Sequence, residues 1–307
     1  MNNYLLTKIA RLYYEEGYTQ QEIAYMLSIS RPQISKLLKK AKDKGIVKIE
    51  VIGEEKDFGS LEILLSKKYS LKEVIISPIH NDIKTSLAMK SIEYIKRVLR
   101  ENMIISFSWG STLRKIVDLI ELPKSYNKIE VVPVMGGMGK IGNKITSSEI
   151  ARTFAEKIGG IYYVIHAPVI VKYKSIKEAL LKEDIIAEIF TKAKQSNISF
   201  VGIGQLSKNS TMVKEGYLSK NDFHILKNEG IIGDICTTFF DKDGKVIHTE
   251  IDERIIGVSI GDLKKHSLVV GIAGGKEKKD AIVAVLKGKF IDVLITDEET
   301  AIFLKNN

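Results

Sequence analysis

The chain has 307 residues, of which 44% are hydrophobic and 28% are charged, so it can bury a large core and form two domains. Its net charge of +9 favours a polyanionic partner such as nucleic acid, and its single cysteine, Cys236, excludes a disulfide framework and a cysteine-rich metal site. The N-terminus lacks a signal-peptide pattern, and the longest apolar stretch, residues 161–171, is too short to span a bilayer. We therefore expect a cytoplasmic protein with no membrane partner.

Two differently patterned regions meet near residue 55. Up to about Val51 the pattern indicates helices with short connections, whereas from about Phe58 short β-rich runs alternate with helical runs. The charged segment 53–57 separates these two regions. We predict one domain at residues 1–55 and a second domain at residues 56–307.

The first region begins with two predicted helices. Apolar residues recur at helical spacing over residues 5–12, and Gly17 is a suitable residue to end this first helix. Thr19 is followed three residues later by Glu22, which is the spacing of a capping box. We therefore expect the second helix to begin at Thr19 and to continue to about Leu27.

A third helix follows a tight turn. We expect the Ser30 hydroxyl to cap it, with Pro32 in the first turn, where a missing N–H group is harmless. One face of this helix carries an apolar stripe, formed by Ile34, Leu37, Leu38 and Ala41. Residues 46–52 alternate like a short strand and predict the wing of a winged helix-turn-helix.

The polar face of the third helix points to DNA. A basic helix face alone is more often merely solvated, but here it follows a short helix and a tight turn, and it mixes Arg, Gln and Ser with Lys. Lys and Arg neutralise phosphates, while Arg and Gln can each make paired hydrogen bonds to a base edge in the major groove. The predicted DNA-binding residues are Thr19, Gln20, Ser30, Arg31, Gln33, Ser35, Lys36, Lys39 and Lys40.

The second region predicts an α/β fold of the doubly wound type, with a mostly parallel sheet and helices on both faces. In such sheets, ligands bind beyond the carboxyl ends of the strands. The predicted strands are residues 73–77, 103–107, 129–134, 161–165, 198–203, 254–259, 268–272 and 291–296. The predicted crossover helices include residues 87–100, 112–119, 147–157 and 276–286.

Several predicted strands end in turns of small residues or glycine, at residues 109–112, 136–139, 202–204 and 274–278. Glycine lets backbone N–H groups approach an anion, and a following helix N-terminus adds a favourable dipole. A single turn of this kind is more often only a turn, but its repetition predicts a phosphate cradle. The side chains that would complete the cradle are the hydroxyls of Ser111 and Thr112, the ammonium groups of Lys276 and Lys278, and the carboxylate of Asp234.

The sequence gives no sign of catalysis or of a cofactor. The dinucleotide fingerprint and the P-loop are both absent, so neither NAD nor ATP is indicated. The five histidines are scattered without metal-ligand spacing, and no nucleophile elbow is present. We expect no catalytic residue and no metal, and we interpret residues 297–299 as the cap of the last helix.

These motifs together resemble a known family. The first region contains YTQQEIAYMLSISRPQISKLLKKAKDKGIV, and the second contains SWGSTL, VVPVMGGMGK, GIGQL, GDICTTFFDKDGKVI, RIIGVSIGDL and VVGIAGGKEKKDAIVAVLKGKFIDVLITDEETAIFL. In this order they are similar to the SorC-type sugar-responsive bacterial transcriptional regulators. The resemblance implies a homotetrameric repressor or regulator that binds double-stranded operator DNA and responds to a phosphorylated sugar. We expect no cofactor.

The resemblance also implies where the sugar binds. The second domain would be similar to sugar-phosphate isomerase and deaminase folds without their catalysis, and Lys278 would meet a phosphate or a carbonyl group. The implied effector-binding residues are Gly110, Ser111, Thr112, Gly136, Gly137, Gly204, Gln205, Asp234 and Lys278. Met135 stands where some relatives carry a basic residue, which favours a monophosphate.

Two questions stay open at the level of sequence. Residues close together on a helix point in different directions, so either Lys276 or Lys278 could face the ligand. The alternative function is a sugar-phosphate isomerase or deaminase fused to a DNA-binding head, because a fold does not determine a function.

Overall fold

The computed structural model describes residues 3–49, 57–79, 82–137, 145–208, 210–214 and 216–307. The chain divides into two units, Met1–Asp57 and Phe58–Asn307. Within the described residues, no helix combines the length and the apolarity that crossing a lipid bilayer requires.

The N-terminal unit consists of helices α1 (Asn3–Tyr14), α2 (Gln20–Leu27) and α3 (Arg31–Asp43), which pack around one small core. The apolar stripe predicted for α3 is confirmed, because all four of its residues are buried in that core. The buried members of the core are Leu6, Ile9, Ala10, Ile23, Ala24, Ile34, Leu37, Leu38 and Ala41.

The capping box at the start of α2 is confirmed. The Thr19 amide donates to a Glu22 carboxylate oxygen at 2.7 Å, and the Glu22 amide donates to the Thr19 hydroxyl at 3.3 Å. At α3 the prediction is only half right. Ser30 occupies the N-cap position and Pro32 lies in the first turn, but the Ser30 side chain makes no capping hydrogen bond.

The predicted wing is not formed where the structure describes it. The amides of Ile46 and Val47 both donate to the Ala41 carbonyl, at 2.9 and 3.3 Å, so they close the end of α3 instead of pairing with a strand. Residues 46–49 form no strand, and the rest of the predicted segment, residues 50–52, lies outside the described residues.

Over its described residues, the C-terminal unit is built on a nine-stranded sheet. Its strands are β1 (Glu73–Ser77), β2 (Ile104–Phe107), β3 (Glu130–Pro133), β4 (Ile161–Tyr162), β5 (Ile198–Gln205), β6 (Gly233–Ile235), β7 (Thr238–Phe240), β8 (Leu268–Ile272) and β9 (Val293–Asp297). The spatial order is β1-β9-β8-β5-β2-β3-β4, with every neighbouring pair parallel, while β6 and β7 form an antiparallel hairpin attached to β5.

Helices cover both faces of the sheet, as predicted for a doubly wound fold. They are α4 (Gly59–Tyr69), α5 (Ile83–Val98), α6 (Ser111–Leu119), α7 (Ser147–Ile158), α8 (Lys174–Lys182), α9 (Asp184–Lys194), α10 (Thr211–Lys214), α11 (Lys220–Asn228), α12 (Ile260–Leu263), α13 (Lys279–Lys287) and α14 (Glu298–Asn306). Two separate hydrophobic clusters result, and neighbouring residues of β5 belong to different ones, Phe200 to one and Val201 to the other. This alternation is what a strand covered on both faces requires.

The strand predicted at residues 254–259 is wrong. Its first part is a 3-10 turn, Asp252–Arg254, and beyond it the amide of Ile256 donates to Val169 O while the amide of Val258 donates to Val134 O, both at 2.8 Å. Because consecutive bonds go to different segments of the chain, no ladder forms, and the segment has only isolated bridges.

The hairpin of β6 and β7 was not predicted. Its turn is made by Cys236 and Thr237, which both have positive φ, +47° and +62°, although neither is glycine or asparagine. Such residues rarely adopt this conformation, so the usual composition signal of a hairpin turn is missing here.

Candidate functional site

The predicted DNA-binding residues all lie in the N-terminal unit, between the start of α2 and the last turns of α3. The side chains of Arg31, Gln33, Ser35, Lys36, Lys39 and Lys40 are exposed, as are those of Thr19 and Ser30, while Gln20 is half-buried. The apolar face of α3 anchors it to the unit's core, so these polar groups point away from that core.

Thr19 has a further constraint. Its hydroxyl donates to Glu22 at 2.8 Å, and the two hydrogen bonds from Thr19 lower the pKa of the Glu22 carboxyl from its usual value. The Thr19 side chain is therefore occupied in capping α2, and any contact it makes with DNA competes with that cap.

In the C-terminal unit, a cavity of about 800 Å³ lies at the carboxyl ends of β2, β5 and β8. This is the position that a doubly wound sheet favours for a ligand. The structure brings most of the predicted effector-binding residues together in its wall, namely Gly110, Ser111, Thr112, Gly204, Gln205, Asp234 and Lys278, together with Lys276.

The structure does not place Gly136 and Gly137 at this cavity. Their amides donate to Ile256 O at 3.0 Å and to Ala167 O at 2.9 Å, so the turn is held against neighbouring loops. A Cβ atom at Gly136 would come within 2.6 Å of the Ala167 carbonyl oxygen, and this close backbone approach explains the glycine. The two residues that follow in the predicted turn, Met138 and Gly139, lie outside the described residues.

The N-terminus of α6 opens onto the cavity. Gly110 is its N-cap, at φ +125°, and residues 110–113 all line the wall. The first amides of a helix have no partner within the helix, and the helix dipole makes this end positive. Ser111 and Thr112 add hydroxyl groups, so this part of the wall suits an anionic group.

Asp234 and Lys278 form the inner part of the wall. Asp234 lies on β6, paired with Gly204 of β5, and burial raises the pKa of its carboxyl to about 6, although the charge of Lys278 acts in the opposite sense. The Lys278 ammonium donates to the Ile203 carbonyl at 2.8 Å, and burial lowers the pKa of Lys278, an effect that Asp234 opposes.

These contacts distinguish the two lysines that the sequence left undecided. Lys278 turns inward to β5, whereas Lys276 is 80% exposed, with its ammonium 4.0 Å from a Glu299 carboxylate oxygen. Both residues line the cavity, and because one points inward and the other is exposed, their ammonium groups lie at different depths.

Two buried polar atoms of the wall lack a partner among the described residues, the Gln205 side-chain oxygen and the Ser210 hydroxyl. A buried polar atom without a hydrogen bond is costly, and such atoms in a cavity wall commonly mark the place of a ligand or a water. Ser210 was not predicted, because it lies in the connection that follows β5 and has no glycine motif.

Other lining residues also carried no sequence signal. Lys84 comes from the first turn of α5, and Ser207, Met212 and Lys214 come from the same connection as Ser210. Trp109, the only tryptophan of the chain, lines the cavity as well and packs edge-on against Tyr217, with ring centroids 4.4 Å apart. In the described part of the chain, no group of three or more His, Cys, Asp or Glu side chains is arranged to hold a metal ion.

Comparison with known proteins gives matches for both units. Residues 56–304 match the family model described as "Putative sugar-binding domain", and residues 7–44 match the model of region 4 of sigma-70. The first covers most of the chain.

The similar proteins are named as regulators, and nearly the whole length of each aligns with this chain. The chain is 34% identical to the deoxyribonucleoside regulator of Bacillus subtilis, with 99% of this chain and 97% of that protein aligned. It is 28% identical to the transcriptional regulator LsrR of an Enterobacter species, with 97% and 91% aligned. The crystal structure of the full-length sorbitol operon regulator SorC of Klebsiella pneumoniae superposes with a TM-score of 0.76 at 27% identity, covering 99% of both chains.

The fold, the cavity and these matches define a DNA-binding transcriptional regulator with a sugar-binding effector domain, not an enzyme. More specifically, the chain belongs to the SorC family of sugar-responsive bacterial transcriptional regulators. The isomerase or deaminase alternative has no support among these relatives.

Proposed function

We propose that the chain is a repressor whose operator binding is relieved by a phosphorylated sugar. The observation that carries this proposal is one cavity in which an open helix N-terminus and several lysines lie together with a buried carboxylate and unpaired polar atoms. A sugar monophosphate has both of the complementary parts, an anionic group and several hydroxyl groups.

The anionic part of the ligand fits the start of α6. Ser111 and Thr112 would donate hydroxyl and amide hydrogen bonds to phosphate oxygens, and charge-assisted bonds of this kind are among the strongest in proteins. Lys84 and Lys276 line the same cavity and add positive charge. Gly136 and Gly137 keep no part in this proposal.

The hydroxyl groups of the sugar fit the inner wall. The Asp234 carboxylate and the Gln205 side-chain oxygen are acceptors for hydroxyl donors, and the Ser210 hydroxyl can donate or accept. Binding would give a partner to polar atoms that have none among the described residues, which is a gain specific to a hydroxyl-bearing ligand.

The relatives narrow the choice of sugar. Because the protein that is 34% identical is a deoxyribonucleoside regulator, deoxyribose 5-phosphate and ribose 5-phosphate come first among the candidates. Sorbitol 6-phosphate follows, because another relative regulates a sorbitol operon.

The proposed regulator is a cytoplasmic homotetramer with DNA-binding domains at residues 1–55 and effector domains at residues 56–307. Paired DNA-binding domains must meet their half-sites in register on the duplex. A ligand that prefers one quaternary arrangement shifts the population toward it and so changes how well the paired domains fit their operator. Light scattering of the purified protein measures the assembly directly, and a monomer would contradict this part of the proposal.

Thermal unfolding tests the ligand class. We expect one phosphorylated sugar in a panel to raise the melting temperature, and its unphosphorylated counterpart to have little effect, because a ligand that binds only the folded state stabilises it. Equal shifts for both forms would contradict the role given to phosphate. No shift with any sugar would contradict the assignment of the cavity.

A further inference from the structure

One loop of the cavity wall is held by residues that do not themselves line the cavity. The loop after β8, residues 274–278, supplies Lys276 and Lys278 to the wall. Its Gly275 amide donates to an Asp297 carboxylate oxygen at 2.8 Å and to the Thr300 hydroxyl at 3.2 Å. Both acceptors lie at the start of α14, and both side chains are fully buried.

The same two side chains also bond to each other. The Thr300 amide donates to one Asp297 oxygen at 3.0 Å, which is an ordinary helix cap, and the Thr300 hydroxyl donates to the other oxygen at 2.6 Å. A cap needs only the first of these bonds. The second carboxylate oxygen and the hydroxyl are directed instead at Gly275, on a different loop.

Close packing fixes the loop from the other side. Gly275 has φ +98°, and a Cβ atom at Gly274 would overlap the carboxylate of Asp297. The loop is therefore packed closely against Asp297 and is hydrogen-bonded to both Asp297 and Thr300. Between them in sequence, Glu299 reaches the cavity wall and faces Lys276.

We propose that Asp297 and Thr300 are positioning residues for effector binding, an inference that rests on the function proposed for the cavity. Neither side chain lines the cavity. They hold the Gly275 turn so that Lys276, Lys278 and Glu299 are in place before the ligand enters, and an already ordered site loses less free energy when it binds.

The geometry allows the cap and the positioning role to be separated. Thr300→Val keeps the size of the side chain and the backbone cap to Asp297, but it removes the hydroxyl that bonds both Asp297 and Gly275. Thr300→Ser restores the hydroxyl and is the rescue variant. Thr296→Val is a matched control, because Thr296 is equally buried, lies on β9 next to Asp297, and has a hydroxyl without a partner among the described residues.

The test uses the full chain with deoxyribose 5-phosphate and inorganic phosphate as probes. In Thr300→Val we expect affinity for whichever probe binds the wild type to fall about tenfold, as for the loss of a buried hydrogen bond. Hydrogen exchange in residues 273–279 should become faster. Thr300→Ser and Thr296→Val should both resemble the wild type in these measurements, and DNA binding without probe should be unchanged in all three variants.

The outcomes separate this inference from the proposed function. Wild-type protein that binds neither probe contradicts deoxyribose 5-phosphate as the ligand of the proposed function, whereas unchanged exchange in Thr300→Val overturns the positioning role whether or not a probe binds. Faster exchange with unaltered affinity also overturns it, because the pair would then stabilise the loop without serving the ligand. Faster exchange together with weaker binding, reversed by Thr300→Ser, supports it.

Discussion

The two units of the chain carry their functional groups in opposite ways. In the N-terminal unit most of the candidate DNA-binding side chains are exposed along α3, and a separate apolar stripe on that helix fixes its position. In the C-terminal unit most of the candidate ligand-binding groups are partly or fully buried, Lys84 and Lys276 being the exposed ones, and most come from the ends of several strands. A helix face can be predicted from local periodicity, whereas a cavity wall depends on how distant segments assemble.

The most severe test of this contrast is Ile34→Ala. Ile34 is fully buried in the small core behind α3, and such truncations cost about 2–5 kcal/mol. We expect loss of DNA binding, while the C-terminal unit still binds the phosphorylated sugar, as measured by titrating both ligands. Loss of sugar binding as well would contradict separate roles for the two units.

Asp234→Asn tests the effect of burial on the Asp234 carboxyl in the cavity wall. The pKa of Asp234 is raised from 3.8 to about 6, so the folded protein holds a proton there that the unfolded chain releases, and stability falls as pH rises from about 4 to about 6. The variant should lack this fall, which amounts to at most about 3 kcal/mol. Chemical denaturation of both proteins at several pH values measures the free energy of unfolding. If it depends on pH in the same way in both proteins, the raised pKa of Asp234 is contradicted.

Lys278→Ala should weaken ligand binding without changing DNA binding. Removing a buried charged donor from the wall is expected to weaken phosphorylated-sugar binding about tenfold or more, with unchanged affinity for DNA in the absence of sugar. Lys279→Ala is the control, because this neighbour lies outside the cavity and packs on the Phe303 ring. Equal effects of the two changes would contradict an inward role for Lys278.

Arg31→Ala and Gln33→Ala test the exposed face of α3. We predict that both side chains contact base edges, so each change should reduce the preference for the chosen sequence by about 1–3 kcal/mol. Lys39→Ala should instead weaken binding to all DNA similarly and make it less dependent on salt. Binding measured on specific and random duplexes at several salt concentrations separates these cases, and unaltered preference in the first two variants would remove α3 from the recognition role.

The smallest expected difference lies between the two helix caps. Thr19→Ala should destabilise the N-terminal unit by about 1 kcal/mol, because it removes a capping box. Ser30→Ala should cost less, since the Ser30 side chain makes no capping bond. Thermal unfolding of the two variants compares them, and a larger loss in Ser30→Ala would contradict the cap geometry.

Elements with a local sequence pattern could be predicted, whereas features that depend on tertiary contacts could not. The α3 stripe and the strands near Val74 and Val270 were predictable because each is a local pattern. Glycine after a strand pointed to Gly110 and Gly204, which the structure places in the cavity wall, but the same signal also pointed to Gly136, which is not in that wall and where a Cβ atom would meet a neighbouring loop.

The residues that sequence reasoning missed have only a tertiary signal. Ser210 and Lys214 are ordinary polar residues, in the loop after β5 and in α10, and they become part of the wall only through the folding of this segment. Asp297 was correctly predicted as a helix cap. Its hydrogen bond with Gly275 joins two residues that are 22 positions apart, and no local sequence pattern indicates it.

The central claim is that a phosphorylated sugar in the C-terminal cavity controls DNA binding by the N-terminal unit. The most direct measurement is the affinity of the full chain for a duplex that it selects from random DNA, by fluorescence anisotropy, with and without deoxyribose 5-phosphate, ribose 5-phosphate and the free sugars. We predict that a phosphorylated sugar weakens DNA binding about fivefold or more and that its free counterpart does not. DNA affinity that stays constant with a sugar phosphate that demonstrably binds the protein would contradict the account.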